Sequence, residues 1–244
     1  MWTSIHSKEA ILNLFLGAFA LLLIRRLESG RWRSQEKVFL LITCSLVTFF
    51  KPLYAPAVLW LVFYASSYGF RMKKLILTTL VSLLGLGAFV VSLYIFEQEL
   101  AAYIQVFHRN FSVQGELTRV GNVWQTVDDF LYDAFIGIFI AFVGPTLKEA
   151  ANKITLLPFF IEGVVTLLIF LILLLKATVT RGGIYVHTFF MLFGGLVLFL
   201  LAQYPLGYFN PGSALRYKQS FQPFLFILFF YFAFSCKQGH KNVS

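Results

Sequence analysis

Arg216 and Lys218 stand two residues apart behind Asn210-Pro211-Gly212. A tight turn that delivers two cations suits a phosphate or pyrophosphate, which both can hold through charge-assisted hydrogen bonds. Lys51 stands beside Pro52 in the middle of a nearly charge-free stretch at 38–70. That stretch is too long for one straight span, because a bilayer core takes about 20 helical residues. The chain therefore turns at the proline, and the lysine must reach water or line a polar cavity. Two readings stay open for Lys51, a functional cation or the interfacial tip of a tight helical hairpin. It needs an anion, and neither adjacent run offers a carboxylate. Lys8 and Arg109 complete the candidate phosphate-binding set. For proton transfer the candidates are Glu162 and Asp129. Glu162 falls about one turn inside an apolar run, after Pro158, where a carboxylate is either a proton acceptor or, as we favour, an ion-pair partner.

The elements that must position these groups are apolar helices. The chain has 244 residues, 59% hydrophobic and 13% charged, with 30 phenylalanines, which is far outside soluble globular composition. Apolar runs recur at 10–24, 38–50, 53–69, 75–96, 130–147, 157–175, 184–203 and 221–236. At these lengths the spans are helices, because only a helix satisfies its own backbone in lipid. The expected fold is all-α, a polytopic integral membrane protein with a single domain over 1–244 and six to eight transmembrane or re-entrant helices. The net charge of +9 sits in short loops between apolar runs, so it sets topology and implies no nucleic-acid partner. Cys44 and Cys236 have no companions at metal-ligand spacing, so neither a metal site nor a disulfide is supported. No Walker loop, G-x-S-x-G, H-E-x-x-H or Rossmann glycine fingerprint occurs, and no cofactor is implied.

Basic residues at 25–37 and 71–74 assign those loops to the cytoplasm. Residues 97–129 then form the long outer-face loop, with an interfacial helix over Leu100, Tyr103, Ile104 and Phe107 and an interfacial anchor at Trp124. A packed loop helix is the plainer alternative. Agreement with the charge rule in the second half requires that one of the 130–147 and 157–175 runs not span; the shorter 130–147 run, interrupted by Asp133 and closed by Gly144-Pro145, is the choice, and 203–219 is then an outer loop. This topology gathers Lys8, Glu9, Lys51, His108, Arg109, Arg119, Asp128, Asp129, Glu162, Arg216 and Lys218 on the outer side. Gly137 with Ala141, and Gly194 with Gly195, are placed for close helix approach.

Three short stretches carry a resemblance: Trp2-Thr3-Ser4 followed by Ser7-Lys8-Glu9-Ala10, the Lys51-Pro52 pair, and Gly212-Ser213-Ala214-Leu215-Arg216-Tyr217-Lys218. Together they resemble the C-terminal half of bacterial polysaccharide-cluster membrane proteins, the Wzy-type and EpsG-like polymerases and the wider GT-C glycosyltransferase group. The resemblance implies a multi-pass protein of the bacterial inner (plasma) membrane, with further helices before Met1. It also implies an undecaprenyl-pyrophosphate-linked glycan as substrate, membrane lipid and other polysaccharide-assembly proteins as partners, and transfer on the outer face. Lys51 stands where the family has arginine, and lysine cannot form the bidentate fork to phosphate. A noncatalytic membrane subunit or a permease for an anionic solute is the alternative expectation.

Overall fold

In the computed structural model, which describes residues 2–67, 72–113, 124, 126–180, 183–184 and 186–234, the apolar runs fold as helices. They are α1 (Trp2–Ser29), α2 (Ser34–Phe50), α3 (Ala55–Ser67), α4 (Met72–Ile95), α5 (Glu97–Val113), α6 (Val127–Val143), α7 (Leu147–Asn152), α8 (Leu157–Thr178), α9 (Val186–Phe209), α10 (Pro211–Gln219) and α11 (Gln222–Phe234). One antiparallel pair of two-residue strands, Val179–Thr180 with Gly183–Ile184, follows α8. Among the described residues the regular structure is otherwise helical.

Among the described residues, length and apolarity qualify three segments as candidate membrane spans: Glu9–Ser29, Ile154–Thr178 and His187–Pro205. Thr79–Ile95 and Glu97–Val106, bent by 73° at their junction, make a fourth if they act as one broken span. The expectation of six to eight counted every apolar run, but several of those runs are short. Helices α2 and α6 have 17 residues each, and α3 and α11 have 13. At about 1.5 Å per residue the shorter two reach only about 20 Å along the axis, well below a bilayer core.

Helix ends follow local chemistry. Gly30, at φ 68°, terminates α1, and its N–H donates to the Arg26 carbonyl. Proline breaks the chain where the sequence requires it: α2 stops at Phe50, Pro52 opens a 3₁₀ turn over Pro52–Tyr54, and α3 follows. At the start of α6 the Thr126 hydroxyl accepts from the Asp129 N–H while the Asp129 carboxylate accepts from the Thr126 N–H, a reciprocal cap. Thr146 and Glu149 repeat that arrangement on α7.

Contacts divide the chain into two compact units. The first comprises Met1–Thr78, Leu168–Phe199 and Gln219–Ser244, and the second Thr79–Leu167 and Leu200–Lys218. Aromatic rings fill the first: Phe199 stacks on Phe221 and meets Tyr54 and Phe224 edge-on, and Phe19 of α1 stacks on Phe224 of α11. Gly194 lies where a Cβ would strike Trp60, whose indole N–H donates to the Phe190 carbonyl. The buried Tyr54 hydroxyl and the Ser220 hydroxyl share a hydrogen bond.

The second unit departs from expectation at three places. Trp124 is 1% exposed and packs with Phe130, Tyr204, Tyr208 and Phe209, so it is a core residue and not an interfacial anchor. Its indole N–H finds Asp133 at 2.9 Å, which satisfies inside the protein the polar tip that an interfacial tryptophan turns to water. Ile104 and Leu100 of α5 join this cluster, as in the plainer packed-helix reading of that segment. Finally, most of 203–219 is helical and not a loop. Helix α9 continues through Pro205 to Phe209, and Asn210 then caps α10, its Oδ1 accepting from the Gly212 and Ser213 N–H groups. Asparagine at the cap with proline at the first helical position is a helix start as well as a turn signal.

Candidate functional site

Helix α10 carries both cations of the sequence motif and turns them to different faces. Residues two apart on an α-helix are separated by about 200° and do not face each other. Ala214, Leu215 and Lys218 share one side: Ala214 lies against Gly207 of α9, and Leu215 against Gly144 at the end of α6. Lys218 is therefore directed inward and is 1% exposed. Arg216 lies on the other side, half-buried, its guanidinium 5.0 Å from the Tyr217 ring centroid and its Nε buried without a hydrogen bond. The two cations of the motif thus stand on a helix and not on a turn, and occupy different faces of α10.

The Lys218 ammonium meets Glu162 of α8, with Nζ 3.2 Å from Oε1. Burial differs sharply across the pair, because the Glu162 side chain is 44% exposed. Nζ makes no hydrogen bond of acceptable geometry, so the contact is a charge pair that leaves donors unspent. Small residues around the C-terminal end of α6 set this geometry. Gly163, next to Glu162, lies against the Val143 backbone, and Gly207 lies against Ala141. Gly144 has φ 92°, a conformation open to glycine and strained for a residue with a Cβ. Gln203 locks α9 to this corner, its amide donating to the Ala141 and Ala214 carbonyls at 3.1 and 2.8 Å. Gln203 was not singled out from sequence; a glutamine inside an apolar run was the available signal.

The remaining candidates fall elsewhere. Asp129 is spent on the α6 cap. Other carboxylates are engaged too: Asp128 accepts from the Tyr94 hydroxyl, Asp133 from Trp124 and Tyr208, and Glu97 from the Val127 N–H. Arg109 is exposed on α5. Lys8 lies in α1, and its side chain is outside the described residues. Lys51 belongs to the first unit, whereas Arg216, Lys218, Glu162, Asp129 and Arg109 belong to the second. Among the described residues no group of histidine, cysteine and carboxylate side chains is arranged to hold a metal.

Lys51 has the anion its neighbouring runs lack. Its Nζ lies 3.1 Å from Glu9 Oε1 of α1, with both side chains mostly buried, 23% and 19% exposed. Methionine at position 51 would strand the Glu9 carboxylate. We expect Lys51→Met to lose about 1–3 kcal/mol of stability, the cost of leaving one member of a largely buried pair alone. Lys51→Met with Glu9→Gln should recover most of that loss. Denaturant unfolding in detergent micelles measures both, and an unchanged midpoint for Lys51→Met would show that the pair contributes nothing.

Compared with known proteins, the chain matches no protein-family model, no curated protein and no solved structure.

Proposed function

We propose that this chain is a membrane component of exopolysaccharide or O-antigen assembly. In this reading it is a polymerase or glycosyltransferase that acts on an undecaprenyl-pyrophosphate-linked glycan at the outer face of the bacterial inner membrane. The observation that carries the reading is the Lys218 ammonium, buried on a short capped helix and neutralised by a single half-exposed carboxylate. Glycosyl transfer from a lipid pyrophosphate needs positive charge where the leaving group develops and a base for the acceptor hydroxyl. Arg216 and Lys218 supply the charge. Glu162 is the better base, because Asp129 is committed to its helix cap. The resembling stretch 212–218 forms this helix, and Lys51-Pro52 forms the helix break between α2 and α3. Counting the short apolar helices α2, α3 and α11 with α6 as a re-entrant element extends the three or four long spans towards six to eight.

A noncatalytic subunit or an anion permease is the second reading. It is favoured by one observation, that Lys51 and Lys218 each already pair with a carboxylate.

Arg216→Ala tests the first reading in cells that depend on this protein for polymer. It should abolish chain elongation while the protein still inserts, because a phosphate contact is lost and no buried partner is stranded. Arg216→Lys should rescue only partly, since the planar fork is gone. Polymer of wild-type length from Arg216→Ala would overturn the assignment of Arg216.

A further inference from the structure

We infer that Glu162 is a displaceable stand-in for a phosphate oxyanion on Lys218, so that binding of the anion and release of the carboxylate are one exchange. This rests on the reading of Lys218 as a phosphate-binding cation and adds how the empty site is kept stable.

A buried ammonium cannot be left alone, because removal of its counter-charge carries the full desolvation penalty. A site that uses one must be neutralised in both its empty and its occupied state. The pair shows the asymmetry such a site needs. Lys218 is fixed: its side chain is 1% exposed, and its helix is held by the Asn210 cap and by Gln203 on the Ala214 carbonyl. Glu162 is the partner free to leave. Its side chain is 44% exposed, and among the described residues it is held by the charge contact to Lys218 at 3.2 Å. That contact is also unsaturated on the lysine side, since Nζ has three donors and makes no hydrogen bond. A phosphate brings several acceptor oxygens to those donors, where the carboxylate satisfies none. Exchange therefore keeps the Lys218 ammonium paired with an anion and gains hydrogen bonds. It also releases the Glu162 carboxylate beside the bound anion, with its lone pairs free to accept a proton.

The contrast with the Glu9 and Lys51 pair of the first unit is instructive. There both side chains are similarly buried, so neither is the exposed member that an incoming anion could displace.

The test is a titration of purified protein in lipid-free detergent with inorganic pyrophosphate. Glu162→Gln removes the competitor and should bind pyrophosphate about tenfold more tightly than the wild type, equivalent to about 1.4 kcal/mol of relieved competition. Pyrophosphate should also raise its unfolding temperature more than that of the wild type, because the anion restores the missing counter-charge. Lys218→Met with Glu162→Gln should show no such binding. If Glu162→Gln does not fold, Glu162→Asp keeps the charge on a shorter arm and should bind more tightly than the wild type. Equal affinities in wild type and the folded variant, or no pyrophosphate binding by either, would overturn the exchange. A repeat in phosphatidylglycerol vesicles separates the sources: weakened pyrophosphate binding there makes the natural anion a bulk lipid headgroup, and undiminished binding makes it a pyrophosphate. Polymer of wild-type length in the Arg216→Ala cells removes Arg216 from the site and leaves the Lys218 titration standing.

Discussion

Trp124→Ala should lower stability by about 3–5 kcal/mol, the range for truncating a large buried aromatic. Trp124 is the hub of the second unit's core. Phe130, Tyr204, Tyr208 and Phe209 surround its ring with centroids 4.8–5.2 Å away, in the tilted and edge-on arrangements that aromatic quadrupoles favour. Its N–H also serves Asp133, which accepts from the Tyr208 hydroxyl at 3.3 Å as well. Truncation opens a large cavity and removes one of the two donors from that carboxylate. Trp124→Phe keeps most of the ring volume and should cost less, about 1–2 kcal/mol, chiefly from the unmade hydrogen bond. Denaturant unfolding in micelles distinguishes the two variants. A Trp124→Ala protein within about 1 kcal/mol of wild type would mean that the ring sits in lipid or water and not in this cluster.

Gly163→Ala should be nearly as damaging despite adding one carbon. A Cβ built there meets the Val143 carbonyl oxygen, with the carbonyl carbon at 2.7 Å and Cα at 2.8 Å. Both helices present backbone at this point, so no flexible side chain can yield, and overpacking of this kind costs about 1–3 kcal/mol. The displaced helix carries Glu162, so the substitution should also disturb the pair with Lys218. Gly17→Ala is the control, since nothing lies within 4 Å of a Cβ there and alanine favours a helix by up to about 1 kcal/mol. Equal stability of Gly163→Ala and Gly17→Ala would mean that α6 and α8 do not approach closely at Gly163.

Much of the helical framework was legible because apolar runs, proline and glycine act locally. The break at Lys51-Pro52 and the close approaches at Gly137, Gly194 and Gly195 follow from residue size and backbone chemistry alone. Glu162 also behaves as a carboxylate in an apolar run must, by finding a cation. What sequence does not show is which cation. Glu162 and Lys218 are far apart along the chain, and so are Glu9 and Lys51; both pairings are decided by packing. The motif around Arg216 was misread for a different reason. Asn-Pro-Gly satisfies turn chemistry and helix-start chemistry equally, and only the second turns two nearby cations apart. Trp124 shows the same limit, since an amphipathic ring suits a membrane interface or a satisfied core position equally well.

If Arg216 and Lys218 serve a pyrophosphate-linked lipid, as proposed, that lipid should bind the protein directly. A water-soluble undecaprenyl-pyrophosphate analogue should bind the purified wild-type protein saturably. Arg216→Ala should weaken it about tenfold or more, as expected for loss of one charge-assisted contact of about 1.5–3 kcal/mol. The monophosphate analogue should bind less tightly than the pyrophosphate. Absence of saturable binding to the wild type, or equal affinity in wild type and Arg216→Ala, would contradict the claim.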